Sequence, residues 1–125
     1  MANEKNSPAL SPNYNFHRVA ANAADVLPHS TRAHGMNMSS RRYALIQVVP
    51  SLGSNPDVKV QWWSDVVGEF IDSNPAETRS GVALSTPYEF VVECHGRVMF
   101  VAVTGGVAAG QHVDIYVSSF GIRSR

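Results

Sequence analysis

The sequence has few charged residues and almost no cysteine, and both shortages limit what the chain can be. Charged residues make up 16% of its 125 residues, against about 25% in an average soluble protein. A surface with so little charge is often partly covered by neighbouring subunits. The single cysteine, Cys94, excludes an intramolecular disulfide. No segment approaches the roughly 18 apolar residues needed to span a membrane, so we expect no membrane partner.

Charge is distributed unevenly along the chain, although the net charge is zero. Residues 1–42 carry five basic and two acidic side chains, a balance of +3, and residues 43–125 carry five basic and eight acidic ones, a balance of −3. The front of the chain could therefore lie on an acidic surface, which could belong to its own body, to a sister subunit or to a different protein. Three net charges are too few for the dense basic face that DNA requires, so no nucleic-acid partner is predicted.

The composition of the first 40 residues predicts an extended N-terminal arm (residues 1–40) ahead of a β-sandwich domain (residues 41–125). Three prolines interrupt this range, and no sustained periodicity extends beyond a short patch at residues 17–20. Such a segment buries too little apolar surface to order itself, so we expect something outside it to hold it in place; a flexible tail is the alternative. The range also lacks an apolar run, which predicts no signal peptide and synthesis in a cytoplasm.

From residue 41 onward the sequence is typical of β-strands. Short segments rich in β-branched and aromatic residues are separated by Gly, Pro, Asn and Ser turns, and they cover residues 43–49, 58–63, 68–71, 88–94, 97–103 and 112–119. The segment around Asn74-Pro75 is predicted as a polar loop. Six or so short strands at this spacing predict an all-β fold, an antiparallel β-sandwich (jelly-roll-like), with a small barrel as the alternative.

Glu93, Cys94 and His95 are adjacent in VVECHGRVMF (91–100) and raise the question of a catalytic nucleophile with its base. Two strand-like segments flank His95-Gly96, and a two-residue connection ending in Gly predicts a type I′ hairpin turn. Cys94 would then pack inward and His95 would point to solvent, because neighbouring strand residues face opposite ways. We therefore predict a hairpin and no catalytic pair.

No other pattern predicts catalysis or a cofactor. The remaining histidines lack the spacing and the carboxylate neighbours of a metal site. Neither a G-x-S-x-G segment nor a phosphate-binding loop is present. The sequence therefore predicts a protein that is not an enzyme and that binds no cofactor or metal.

Two neighbouring tryptophans face opposite ways on one predicted strand. Trp62 shares a face with Val58 and Val60 and is predicted to lie in the core. Trp63 lies on the other face, where a second layer or the arm could cover it, or where it could contact a subunit or stack on a sugar. Tyr116, on the outward side of the last strand, raises the same alternatives.

The order of a basic, proline-containing arm and a glycine-jointed sandwich resembles the small auxiliary proteins of tailed-bacteriophage virions. The resemblance extends over Trp62-Trp63, TPYEFVVECHGRVMFVAVTGG (86–106) and VDIYVSS (113–119). That family includes decoration or cement proteins, which lie on a capsid, commonly as trimers, and clamp neighbouring capsomers. It implies a virion location, the major capsid protein or other virion subunits as partners, and a homo-oligomer, with a trimer favoured.

A second resemblance is local. Gly105-Gly106 followed by Asp114-Ile115-Tyr116-Val117 is similar to the last strands of the bacterial pre-peptidase C-terminal sandwich. His112 stands where that family has a further acidic residue. This resemblance implies the same sandwich class.

The leading hypothesis is a non-enzymatic structural protein that stabilises a virus particle through contacts between subunits. In it, the arm binds the partner through apolar anchors and arginines, which are Phe16, Arg18, Val26, Leu27, Arg32, Arg41 and Arg42. The alternative is a carbohydrate- or receptor-binding sandwich of a phage tail or fibre, in which Trp63 and Tyr116 form the contact surface.

Overall fold

A computed structural model describes the chain at residues 15–20 and 35–122. Every regular element in these two ranges is a β-strand. The strands are β1 (Asn15–Ala20), β2 (Met36–Asn37), β3 (Arg41–Pro50), β4 (Asp57–Ser64), β5 (Glu69–Ser80), β6 (Tyr88–Glu93), β7 (Val98–Gly105) and β8 (His112–Ile122).

The strands form two four-stranded sheets in which all neighbours are antiparallel. Sheet 1 has the order β1-β8-β3-β6, and sheet 2 has the order β2-β7-β4-β5. The chain passes from one sheet to the other at every connection except the β4–β5 turn. Eight strands divided in this way form a jelly roll. The predicted all-β, jelly-roll-like sandwich is confirmed.

The main core lies between the two sheets because most of the long strands alternate inward apolar side chains with outward, more polar ones. Strand β3 turns Ala44, Ile46 and Val48 inward, and none of the three is exposed to solvent. The inward residues of the other long strands are equally buried, and they are Val58, Val60, Trp62, Met99, Val101, Val103, Val113, Ile115 and Val117. Period-two alternation in the sequence therefore places each of these strands with one face on the core.

A second, smaller apolar cluster lies on the outer face of sheet 2. Its buried members are Phe70, Val98, Phe100 and Ala102, and Trp63 packs against them half-buried. Gly35 passes close over this cluster, and a Cβ there would lie 2.7 Å from Phe70 Cζ. Strand β7 is thus buried on both faces, as its continuous apolar sequence predicts.

The predicted hairpin at His95-Gly96 is wrong. Strand β6 pairs with β3 in sheet 1, whereas β7 pairs with β2 and β4 in sheet 2, so this connection crosses between the sheets. Gly96 has the positive φ that a tight turn favours, but His95 does not, and a type I′ turn requires it at both positions. Alternation identifies a strand without identifying its partner.

The predicted polar loop around Asn74-Pro75 is instead a bulge within β5. Asp72 pairs with Gln61 and Glu77 pairs with the adjacent Val60, so residues 73–76 have no partner on β4. The strand resumes beyond the bulge and continues to Ser80. Because β5 is an edge strand, a bulge that contains proline also hinders further strands from pairing with it.

Both sheets include strands from the range that we predicted as an arm. Strand β1 pairs with β8 over six residues, from Asn15 opposite Val117 to Ala20 opposite His112. Strand β2 pairs with β7, and Met38, which follows it, is 2% exposed within the main core. Residues 15–20 and 35–38 therefore belong to the sandwich itself.

Candidate functional site

The predicted partner-binding residues fall in three places. In β1, the backbone of Phe16 lies opposite Tyr116 and that of Arg18 lies opposite Asp114. Arg41 and Arg42 begin β3, and Val26, Leu27 and Arg32 lie outside the described residues. Arg42 is exposed and its guanidinium lies over the ring of Tyr43, 5.5 Å from the centroid. A hydrogen bond from its Nε to the Tyr43 hydroxyl, 3.2 Å long, raises the pKa of Arg42.

Cys94 and His95 have different surroundings. Cys94 is 2% exposed within the main core. The His95 ring stacks on Trp62, with the centroids 4.3 Å apart, and its Nε2 lies 3.9 Å from Glu77 Oε1. The same Glu77 oxygen accepts hydrogen bonds from Trp62 Nε1 (2.8 Å) and from the Ser73 hydroxyl (3.3 Å). Glu77, the first paired residue after the bulge in β5, thus supplies a carboxylate that satisfies the indole of a fully buried tryptophan.

Trp63 and Tyr116 lie on opposite outer faces of the sandwich. Trp63 belongs to sheet 2, where its ring meets Phe70 edge-on at 5.2 Å and its Nε1 donates to Asp65 Oδ1 at 2.9 Å. Tyr116 follows the inward-facing Ile115 on β8 and is directed away from the core of sheet 1. Two rings separated by both sheets cannot bind one sugar together, so the contact surface predicted for the alternative function is not formed.

Three loops lie together at one end of the sandwich, and we call them the loop surface: residues 51–56, 81–87 and 106–111. The amide of Asn55 donates to the carbonyl of Gly106 (3.1 Å), and the amide of Ser85 donates to the carbonyl of Ser54 (2.7 Å). The amide of Ser51 donates to the carbonyl of His112, and the amide of His112 donates to the side-chain hydroxyl of Ser51, both at 3.0 Å. Each loop is therefore tied to a neighbour by main-chain hydrogen bonds.

Ser85 joins the first two loops. Its hydroxyl oxygen accepts from the Gly53 amide at 2.7 Å and donates to the Ser51 carbonyl at 3.3 Å. Its φ of 61° is the only positive value at a non-glycine residue in the described ranges. Because left-handed serine is strained, these hydrogen bonds must hold it in place. The loop surface thus has a fixed shape.

The loop surface is apolar at its tips and carries no Asp, Glu, Lys or Arg. The tips are strongly exposed, with Leu52 at 90%, Val82 at 83% and Leu84 at 63%. These residues could not be singled out from the sequence, because a single apolar residue in a loop is common. A usable signal was present, since three separate turns, SLGSNP, GVALSTP and GVAAGQ, all lack charge in a strand-rich chain.

Tyr88 lies beside the loop surface, and its surroundings raise the pKa of its phenol. Its hydroxyl donates to the carbonyl of Pro56 at 2.7 Å. Burial, and secondarily the carboxylate of Asp57, raises the pKa of Tyr88 to about 12. The neutral phenol is therefore favoured in the folded protein.

Tyr88 should make stability depend on alkaline pH. In the unfolded chain tyrosine ionises near pH 10, whereas in the fold it resists ionisation up to about 12. The stability that the protonated phenol of Tyr88 contributes to the fold is thus complete below about pH 10, and it is lost as pH rises through about 12. Urea unfolding at pH 9 to 12 should show a steeper loss of stability for the native chain than for Tyr88→Phe. Equal slopes for the two proteins would contradict this assignment.

No group of three or more His, Cys, Asp or Glu side chains in residues 15–20 and 35–122 is arranged to hold a metal ion. Within the same described ranges, no helix long and apolar enough to cross a membrane is found.

Comparison with known proteins gives no family. No family model matches the chain, and no curated protein matches it. Among solved structures, a Bacillus endospore appendage protein, described as forming disulfide-linked pili, is similar with 22% identity and a TM-score of 0.42, over 86% of this chain and 84% of that one.

Two coat protein structures of Tobacco streak virus are similar as well. One, a dimer, has 13% identity and a TM-score of 0.40 over 93% of this chain and 92% of that one. The other has 12% identity and a TM-score of 0.36 over 95% and 94%. Similarity as low as this does not indicate a shared function.

Proposed function

We propose that this chain is a non-enzymatic structural protein of a virus particle, a capsid decoration or cement protein that stabilises the shell by contacts between subunits. Its partners are the major capsid protein or other virion subunits, and it is itself a homo-oligomer, with a trimer favoured. It is made in the host cytoplasm and resides in the virion.

The observation that carries this proposal is the way the N-terminal region binds the body. Strand β1 adds to the edge of sheet 1 by main-chain pairing with β8 over six residues. An extended segment gains affinity from such pairing without a demanding side-chain pattern. In this proposal, residues 1–14 and 21–34, which flank β1, make the contacts with another subunit. Jelly rolls serve in viral capsids and in lectins, so the fold is compatible with this role but does not by itself select it.

The proposed contacts follow from charge and position. Val26 and Leu27 supply apolar anchors, Arg32 supplies charge, and the exposed Arg42 and its neighbour Arg41 face carboxylates of the partner. Such pairs guide the orientation of binding more than they add affinity.

The experiment is a measurement on purified particles of the virus that encodes the chain. Mass spectrometry should find the protein in a fixed ratio to the major capsid protein. Particles stripped of it should lose heat resistance and regain it when the protein is added back. A particle that lacks the protein, or that is equally stable without it, would overturn the proposal.

Reversing the charge of Arg41 and Arg42 tests whether these two residues contact the partner. The double variant Arg41→Glu/Arg42→Glu should restore heat resistance to stripped particles less well than the native chain. Arg79→Glu is the matched control, because Arg79 is an exposed arginine on β5, where it lies 4.9 Å from the ring centroid of Phe90. If the double variant and the control protect equally, Arg41 and Arg42 are not the contact residues.

A further inference from the structure

We infer that the loop surface is where copies of this chain meet one another around a symmetry axis. This assignment rests on the proposed function, which requires a homo-oligomer, and it names the surface that forms it. The occupant is a second copy of the same surface.

The absence of charge is the first reason. In a closed symmetric oligomer, residues near the rotation axis face their own counterparts. A charged loop would therefore meet like charge, which is costly across an interface. The residues of the loops at 51–56, 81–87 and 106–111 include no Asp, Glu, Lys or Arg. This surface can approach its own copy without repulsion.

The exposure of the tips is the second reason. Leu52 and Val82 are 90% and 83% exposed, so they project outward and do not line a cavity for a small ligand. Burying such side chains against each other removes apolar surface from water, which is the main driving force of association. An ionic partner would find no opposite charge on these tips.

The rigidity of the base is the third reason. Ser85 is fixed by hydrogen bonds to Gly53, Ser51 and Ser54, and Asn55 is bonded to Gly106. Loops that are already ordered lose little conformational entropy when they associate. The opposite end of β4 is charged, unlike the loop surface, because the exposed Val66 there has the acidic Asp65 beside it and Glu69 nearby.

The test is the native mass of three full-length proteins by sedimentation: the native chain, Leu52→Asp and the control Val66→Asp. Leu52 and Val66 are 90% and 96% exposed, so neither change should disturb folding. The native chain and Val66→Asp should form the same oligomer. Leu52→Asp should move toward the 13.6 kDa monomer, with its dissociation constant raised by about tenfold or more.

A cysteine in place of Leu52 tests independently whether the loop surfaces of two copies meet. Because Cys94 is buried, Leu52→Cys should be the reactive thiol and should form a covalent dimer on mild oxidation, whereas Val66→Cys should not.

Three outcomes would overturn the inference. Unchanged mass and no cross-link in the Leu52 variants would place the interface elsewhere. Dissociation of both Asp variants would mean that opposite ends of the sandwich meet. A native chain that is monomeric throughout would remove self-association itself. The first two outcomes leave the measurement on particles unaffected, so failure of this inference is distinguishable there from failure of the proposed function. A monomeric native chain would also contradict the homo-oligomer in the proposed function.

Discussion

Replacing Trp62 with alanine should lower the free energy of unfolding by about 3–5 kcal/mol, the usual cost of removing a large buried ring. Trp62 has no solvent exposure and packs between the sheets, with His95 stacked on it. Its loss also removes the Nε1 donor from Glu77. Because small domains are stable by only about 5–15 kcal/mol, this substitution alone should bring the protein close to unfolding.

Trp63→Ala is the matched control for this prediction. Trp63 is the adjacent residue, but it is half-buried on the outer face of sheet 2, so its removal should cost clearly less. Chemical denaturation of both variants, followed by circular dichroism, measures the difference. Equal costs would contradict the placement of Trp62 in the inter-sheet core.

Gly106→Ala should lower stability by about 2–4 kcal/mol, because it combines backbone strain with overpacking. Gly106 has a φ of +87°, and a Cβ there would clash with the carbonyl oxygen of Asn55 and would lie 2.8 Å from the Cα of Pro56. Both obstacles are main-chain atoms, which cannot turn aside as a side chain would. The close approach of these two loops therefore requires glycine.

Comparison with Gly110→Ala separates the cost of backbone strain from the cost of steric crowding at Gly106. Gly110 lies in the same loop with a φ of +81°, but nothing is within 4 Å of its added Cβ. Its substitution should therefore cost only the left-handed strain, about 1–2 kcal/mol. If thermal unfolding gives the same loss for both variants, loops 51–56 and 106–111 are not packed as described.

The sequence was sufficient to predict the fold class, because alternation and turn spacing are local. VKVQWW alternates so plainly that the inward side of Trp62 followed from it directly. The pairing of strands is not local. Nothing in the segments around His95-Gly96 indicates that β6 joins β3 while β7 joins β4, since that choice depends on how all eight strands share two sheets.

Strand β1 was missed for a related reason. NFHRVA has little apolar alternation, and it becomes a strand by completing the edge of sheet 1 beside β8. The loop surface could not be predicted from the sequence for the same reason. Leu52, Val82 and Leu84 are separated along the sequence, and only the topology brings their loops together.

The native mass of the full-length protein, determined by sedimentation from low to high concentration, shows whether the chain is a self-associating subunit. We expect one closed oligomer, with a trimer favoured, whose mass is a whole multiple of 13.6 kDa and does not grow further as concentration rises. A protein that remains a monomer at every concentration would contradict a self-associating structural subunit.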